Sequence, residues 1–380
     1  MSKTICLLVL TVAALAVAAK FPKWHELEGY TFEQYIADHN KVYSAEELLA
    51  RKAAFENRLA TVRAHNANPG FSWKRGINHM SDWTHEEKNS MKGYDKNIGH
   101  AMRTKRAKVV SNVPNKQEDS ENATLPQYVD WRDLGVVTPV KDQGQCGSCW
   151  TFATAETAES HYAIATGHLG ELSEQHVLDC VPNPLQCGGQ GGCSGGTVEL
   201  AYSNLLLPGT GGMVSEWTYP YRSYFGDAFQ CSFNRSRTAV FANITGYVTL
   251  PTNKYKPLMI AVATLGPIAI SVDASAWHDY ESGVFNGCNQ TNPDIDHAVQ
   301  LVGYGTDEKL GDYWLVRNSW GPKWGEKGYI RIYRSDSEEG RCGEDITPRD
   351  GEGCADGPPQ VEVCGTCGIL FDSVYPTVSK

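Results

Sequence analysis

"KDQGQCGSCW", residues 141–150, carries two cysteines, Cys146 and Cys149, separated by Gly147 and Ser148. That spacing admits three chemistries: a redox couple, half of a metal clamp, or a nucleophile beside a cysteine held in a structural disulfide. A thioredoxin-like pair needs a strand of a βαβ unit before it, and nothing ahead of Lys141 reads as that strand. A zinc ribbon needs a second pair nearby. The pair Cys364 and Cys367 follows more than two hundred residues later, outside ribbon spacing. The third reading makes use of more of the sequence. "CWTFATAETAESHYAIATG" predicts a helix with Ser148 at its N-cap and Gly167 just past its end. Cys149 then lies in the first turn, where the helix dipole favours thiolate.

A thiolate with an imidazole beside it is a strong nucleophile for acyl transfer. Downstream, "DHAVQLVGYG" supplies His297 and "RNSWG" supplies Asn318. An amide oxygen on one ring nitrogen would orient the other toward sulfur. Gln143 can aim its NH2 at the same place and, with the Cys149 N–H, form a two-donor oxyanion hole.

The chain around this stretch reads as a secreted precursor. It has 380 residues, 41% of them hydrophobic and 21% charged, enough for an ordered protein with more than one folding unit. Residues 1–19 read as a cleaved signal: Lys3, an apolar run from Ile5 to Val17, then small residues before the cut. Twelve cysteines are present, and Cys6 leaves with the signal. In an oxidising compartment the odd remainder implies one unpaired thiol. Sequons at Asn122, Asn234, Asn243 and Asn289 suit the same route.

Residues 20–124 carry 17 Lys and Arg against 14 Asp and Glu, and residues 125–380 carry 16 against 30. A basic segment joined to an acidic body suggests an intramolecular complex that acid would weaken. In the basic part, Leu48, Ala54 or Phe55, Leu59 and Val62 fall on one helical stripe, and Ser44 with Glu47 makes a capping box. Residues 95–123, with "RTKR" at 103–106, read as a linker. The body is helical and loop-rich in its first half. "HAVQLVGYG", "YWLVRNSWG" and "GYIRIYRS" predict strands in its second. Two lobes flanking a cleft follow.

"QGQCGSCW", "DHAVQLVGYG" and "NSWGPKWGEKGYIRI", in that order, resemble the papain-like cysteine proteases of the cathepsin L type, from about residue 25 to the end. The resemblance implies an α+β fold with a helical left lobe, a β-barrel-like right lobe and a cleft between them, preceded by a helical propeptide. It implies an inhibitory propeptide at 20–124 and a peptidase domain at 125–380, with maturation near Ala123 to Leu125 ahead of "TLPQYVDWR".

By motif, Cys149 is the nucleophile, His297 the base and acid, Asn318 its orienter and Gln143 the oxyanion donor, while Trp320 covers the Asn318–His297 contact. Gly195 and Gly196 run along the substrate backbone. Thr197, Val198, Ser271, Ile295 and Ala298, beside Asp296, line the pocket for the residue before the scissile one. Asp372 lies at its base and is expected to admit Arg. The expected product is an endopeptidase acting through a thiolate–imidazolium pair and an acyl-enzyme. It would be made as a zymogen, activated in acid, and be lysosomal or secreted. Its expected partners are peptide or protein substrates, its own propeptide and cystatin-like inhibitors. No nucleic acid, membrane, metal or cofactor is expected, and the protein is expected to be a monomer.

In the propeptide the family pattern falls on Glu47, Arg51, Phe55, Arg58, Val62 and Asn66, with Arg58 in place of Asn. "GINHMSD" at 76–82 has Met80 in place of an aromatic. Both departures are expected to loosen docking. In the family this segment crosses the cleft backwards relative to substrate. The resemblance pairs Cys146 with Cys193, Cys180 with Cys231 and Cys288 with Cys367. Cys187, Cys342, Cys354 and Cys364 allow three pairings, among which sequence does not choose. They mark a Gly-rich loop and an acidic insert at about 340–366, whose Asp345, Asp350 and Glu352 could alternatively hold calcium.

Overall fold

Residues 21–92, 125–207, 209–351, 353–354 and 358–379 are described by a computed structural model, the Asp350 side chain excepted. The signal segment, the linker with its basic run, the maturation region up to Ala123, and Glu352 lie outside these residues.

In the propeptide, α1 (Phe32–Asp38) and α2 (Ala45–Asn66) form the first layer. Ser44 accepts from the Glu47 N–H while the Glu47 carboxylate accepts from the Ser44 N–H. This closed capping box stabilises the helix start by about 1 kcal/mol. Phe55, Leu59 and Val62 are buried against Leu27, Phe32, Tyr35 and Ile77. Leu48 does not join them: it is 41% exposed. The rings of α1 meet α2 at Phe55, further along the helix, so its first turn has no apolar cover. Asp82 gathers this layer, accepting from Tyr35 Oη (2.5 Å), Tyr43 Oη (2.6 Å) and Lys41 Nζ (3.0 Å). Two short elements follow, β1 (Trp73–Arg75) and α3 (His85–Ser90).

The body opens with β2 (Val129–Asp130), then the helices α4 (Cys149–Thr166), α5 (Glu174–Cys180) and α6 (Val198–Leu205). Next come β3 (Asn243–Thr249), α7 (Tyr255–Thr264), β4 (Ile268–Val272) and β5 (Tyr280–Phe285). The chain finishes with β6 (His297–Asp307), β7 (Gly311–Arg317), β8 (Tyr329–Tyr333), β9 (Cys342–Asp345), β10 (Val361–Cys364) and β11 (Asp372–Ser379). α4 is buried on nearly every side. It ends on Gly167, whose φ of 79° is left-handed, a conformation in which a Cβ is strained.

The two lobes have separate cores. One gathers Trp150, Ala153, Val177, Leu200 and Tyr202 around the helices, and the other gathers Val272, Trp277, Val299, Trp314 and Ile330 in the sheet. The sheet runs β1-β5-β8-β7-β6-β4-β11-β3, with β2 added to β6. It is an open sheet and not the barrel-like lobe expected. Its end strands do not meet: β1 comes from the propeptide, and β3 lies against α6 of the helical lobe. Trp73 pairs with Gly283, so the propeptide contributes a strand to the body's sheet edge.

Five disulfides form among the described residues. Cys146–Cys193, Cys180–Cys231 and Cys288–Cys367 are as the resemblance implied, and the open set resolves as Cys187–Cys354 and Cys342–Cys364. Cys149 is free.

Candidate active site

α4 begins at Cys149, so the thiol sits where the first helical N–H groups lack backbone partners. Ser148 holds the N-cap position, but its hydroxyl turns to Tyr221 Oη at 2.8 Å and makes no bond to the helix. The Cys146–Cys193 bond fixes the turn just before it. His297 opens β6, and Asn318 follows the last residue of its antiparallel neighbour β7. Antiparallel pairing therefore brings these two distant residues to the same sheet edge.

His297 Nε2 lies 2.8 Å from Asn318 Oδ1, and the Ser319 N–H donates to that same oxygen at 2.8 Å. The amide oxygen is thus held toward the ring, which makes Nε2 the donor and leaves Nδ1 as the free lone pair. Nδ1 is buried with no hydrogen-bond partner among the described residues. Trp320, fully buried, lies over the imidazole with ring centroids 4.9 Å apart. The Ala298 N–H, next in sequence to His297, hydrogen-bonds the Cys149 thiol. Gln143 Oε1 accepts from Ser319 Oγ at 2.6 Å, which turns Nε2 into the cleft.

The propeptide fills this site. Gln143 Nε2 donates to Met91 O at 2.5 Å, and the Cys149 thiol donates to Lys92 O at 3.5 Å. Lys92 Nζ pairs with Asp296 at 2.8 Å. Burial pushes the Cys149 thiol up to about 12; the Ala298 N–H works against that rise, and the Asp296 charge adds to it. Burial likewise takes His297 down to about 4, against the Asn318 hydrogen bond and the Asp296 charge. The thiolate expected from the helix dipole is therefore not the state of this closed precursor. Burial of the thiol in the filled cleft outweighs the dipole.

Both departures in the propeptide make contacts with the body. Arg58 donates to Asp279 of the body at 2.8 Å, with Asp279 almost fully buried. Met80 is buried in the core of the sheet lobe. Asn78 Nδ2 adds a bond to His278 O at 2.7 Å.

Across three neighbouring strands, Ala298 lies opposite Ser271, and Ser271 opposite Asp372. Ser271 Oγ donates to Asp372 at 2.9 Å. Thr197 caps α6, and Val198 packs in one cluster with Ala298. Gly195 has a left-handed φ of 92°, and a Cβ on Gly196 would meet the Trp150 ring at 2.8 Å, so both positions favour glycine. Ile295 stands apart from this set, packed with Val363 and Phe371. Cys342, Cys364 and Glu362 converge, but the two sulfurs are bonded to each other and offer no thiolates. Of the possible calcium ligands only the Asp345 side chain is described, and it is buried.

Sequence reasoning missed Ser319, Asp279 and Lys92. Ser319 adjoins Asn318 in "NSWG", which could have signalled it. The roles of Asp279 and Lys92 appear only when propeptide and body are docked.

Comparison with known proteins agrees with this geometry. A model of the papain family cysteine proteases matches residues 125–348, and one of the cathepsin propeptide inhibitor domain (I29) matches residues 32–87. The chain belongs to the papain family of cysteine proteases. It is 36% identical to mouse procathepsin L over 346 residues, 89% of this chain and 96% of that protein. It is also 36% identical to cathepsin L of Sarcophaga peregrina, over 99% of this chain and 100% of that one. Among solved structures, a recombinant stem bromelain precursor superposes with a TM-score of 0.70 at 34% identity, over 92% of this chain and 98% of that one. A digestive procathepsin L 3 of Tenebrio molitor larval midgut gives 0.68 at 32%, over 90% and 97%. This papain-family protease is thus a cysteine endopeptidase carrying its own propeptide inhibitor domain.

Proposed function

We propose that Cys149 attacks the substrate carbonyl, with His297 taking and returning the proton, Asn318 holding the ring, and Gln143 with the Cys149 N–H stabilising the oxyanion. The observation that carries this reading is the occupancy of the site. Two successive propeptide carbonyls, Met91 O and Lys92 O, lie on Gln143 Nε2 and the Cys149 thiol, where a scissile carbonyl would be needed. Removal of the propeptide rehydrates the pair and lets the proton pass from sulfur to imidazole. The thiolate–imidazolium form then attacks, an acyl-enzyme forms as the amine leaves, and water releases the acid.

The domain reading follows: 1–19 signal, 20–124 propeptide, 125–380 peptidase, active as a monomer in lysosomes or outside the cell. Cystatin-like proteins are its expected inhibitors. Trp320 shields the His297–Asn318 contact. Gly195, Gly196, Thr197, Val198, Ser271, Ile295, Asp296 and Ala298 receive the substrate, with Asp372 at the base of one pocket. Asp372 is buried beside Ser271, which supports acceptance of Arg there as well as apolar side chains. The zymogen incubated at about pH 4–5 should convert itself. The Cys149→Ala zymogen should not. Conversion of that variant at the wild-type rate, in purified form, would refute the assignment.

A further inference from the structure

The insert at about 340–366, which interrupts the resemblance, does more than hang from the sheet lobe. It leaves that lobe as the hairpin β9–β10, closed at its base by Cys342–Cys364. It then lies along residues 290–295, which lead into His297. The Glu344 N–H donates to Thr291 O at 3.1 Å, and the Ile346 N–H to Asn292 Oδ1 at 3.1 Å. Gly351 sits so close to Ile295 that a Cβ there would approach the Ile295 carbonyl oxygen to 2.2 Å. From this point the insert crosses to the other lobe. The Gly188 N–H donates to Gly353 O at 3.0 Å, and Cys354 bonds to Cys187.

The landing point is itself fixed. Asn183, in the Gly-rich loop, donates to the carbonyls of Cys187 and Gly189 and accepts from the Cys187 N–H. Gly191 donates to Gly195 O at 2.7 Å. The Gly351–Ile295 packing and the Cys187–Cys354 bond therefore tie together the two walls of the cleft: Ile295 and Asp296 on the sheet side, Gly195 and Gly196 on the helical side. Among the described residues, the propeptide packs by Trp277 and Trp320, beside His278, and reaches Asp296 through Lys92.

We infer that this disulfide-anchored strap is an end wall of the cleft on the side that holds residues preceding the scissile bond, and that it limits how long and bulky that arm of a substrate can be. The inference rests on the reading of Gly195, Gly196 and Asp296 as substrate-binding. An open groove gains affinity with each added residue of the arm, because each makes further contacts. A groove ended by a wall gains up to the second residue, and longer arms must bend away at a cost in transition-state binding. Endoproteolysis is then confined to arms narrow enough to pass beside the strap.

The test uses the matured wild-type enzyme and a peptide series with two, three, four and six residues before one scissile Arg–Gly bond, each with a free or an acetylated amino end. The expected kcat/KM is level or falling from two residues to six, in both amino-end forms. A rise of about tenfold or more over that range, the scale of a well-filled specificity pocket, would overturn the inference. The Cys187→Ser/Cys354→Ser enzyme should cleave the six-residue arm about tenfold faster while the two-residue arm stays within about twofold. A second variant replaces residues 346–360 with an Asn-Gly turn, keeps the β9–β10 pairing and carries Cys187→Ser; it should do the same. An unchanged length profile in a folded variant, with the 187–354 bond shown absent by mass spectrometry, would also overturn it. The Cys149→Ala enzyme separates the two readings. Undiminished cleavage by that variant would sink the catalytic assignment, whereas a rising wild-type profile sinks the wall alone.

Discussion

His297 and Asn318 show how little of a catalytic group's behaviour belongs to the residue alone. The imidazole is a poor base here because burial takes it down to about 4, and a well-oriented one because Asn318 Oδ1 and the Ser319 N–H fix the amide. In Asn318→Ala the ring keeps its Trp320 cover and loses its orientation. We expect kcat of the matured enzyme to fall by about 10²-fold with KM little changed, measured by steady-state kinetics on one peptide. Asp372 is tested by a preference and not a rate. Asp372→Ala should lower the ratio of Arg to Phe acceptance at the residue before the scissile one by about tenfold, one charge-assisted hydrogen bond's worth. An unchanged ratio would mean that the carboxylate serves only to anchor Ser271.

At the scale of elements, the propeptide is held by a few anchors, and their ionisation sets when it lets go. Arg58, on α2, faces the nearly buried Asp279. Arg58→Ala should speed zymogen conversion at fixed pH by about tenfold, since a buried carboxylate loses its nearer charged partner and keeps Arg75, at 3.8 Å. Burial of Asp82 opposes its charge, but Lys41, Tyr35 and Tyr43 outweigh it and hold the carboxyl below its usual range. Glu87 is lowered too, chiefly by its paired bonds to Arg51. Both sets of partners lie within the propeptide, so each depressed carboxylate stabilises the propeptide's own fold above its unfolded value, and that contribution is lost as pH falls through the folded one. The propeptide fold is therefore expected to weaken in acid, and with it the hold on the cleft. Asp82→Asn, which carries no charge at any pH, should move the conversion threshold up by about one pH unit, followed by gel densitometry across a pH series.

Much of this element-level structure was legible in the sequence. The capping box at Ser44 and Glu47, the helix after Cys149 and the three strand runs are local patterns, and local patterns survive folding. Leu48 did not follow its stripe, because the partner that would cover it, α1, docks further along. The partners of Cys187 and Cys354 lie 167 residues apart. No local pattern encodes that pairing; it follows only once two loops from different lobes are brought together.

Taken as a whole molecule, the body titrates in the opposite sense to its inhibitor. Burial, against the attraction of Arg317 and Lys141, raises Glu156 to about 8, and burial with neighbouring carboxylates raises Asp294 to about 8 and Asp273 to about 6. Glu338 is raised to about 7, again chiefly by burial. A raised carboxyl stabilises the fold while protonated, and that contribution fades as pH climbs from the unfolded value through the folded one. The body should thus lose stability between about pH 4.5 and 8, just where the propeptide is best held. The melting temperature of the precursor should be higher at pH 5.5 than at pH 8, by about 5 °C, read by calorimetry. The acidic body and basic propeptide visible in the composition pointed to a charge-held complex. The burial that gives the body its own pH dependence could not be read there, because it depends on which carboxyls the two lobes enclose.

The most direct measurement is covalent labelling of the thiols by an epoxide directed at cysteine nucleophiles, mapped by mass spectrometry before and after propeptide removal. The precursor should remain unlabelled near neutral pH, and the matured enzyme should take up one label per chain, on Cys149, with activity lost in proportion. Activity that persists with Cys149 fully modified, or a Cys149 found bonded to Cys146, would contradict it.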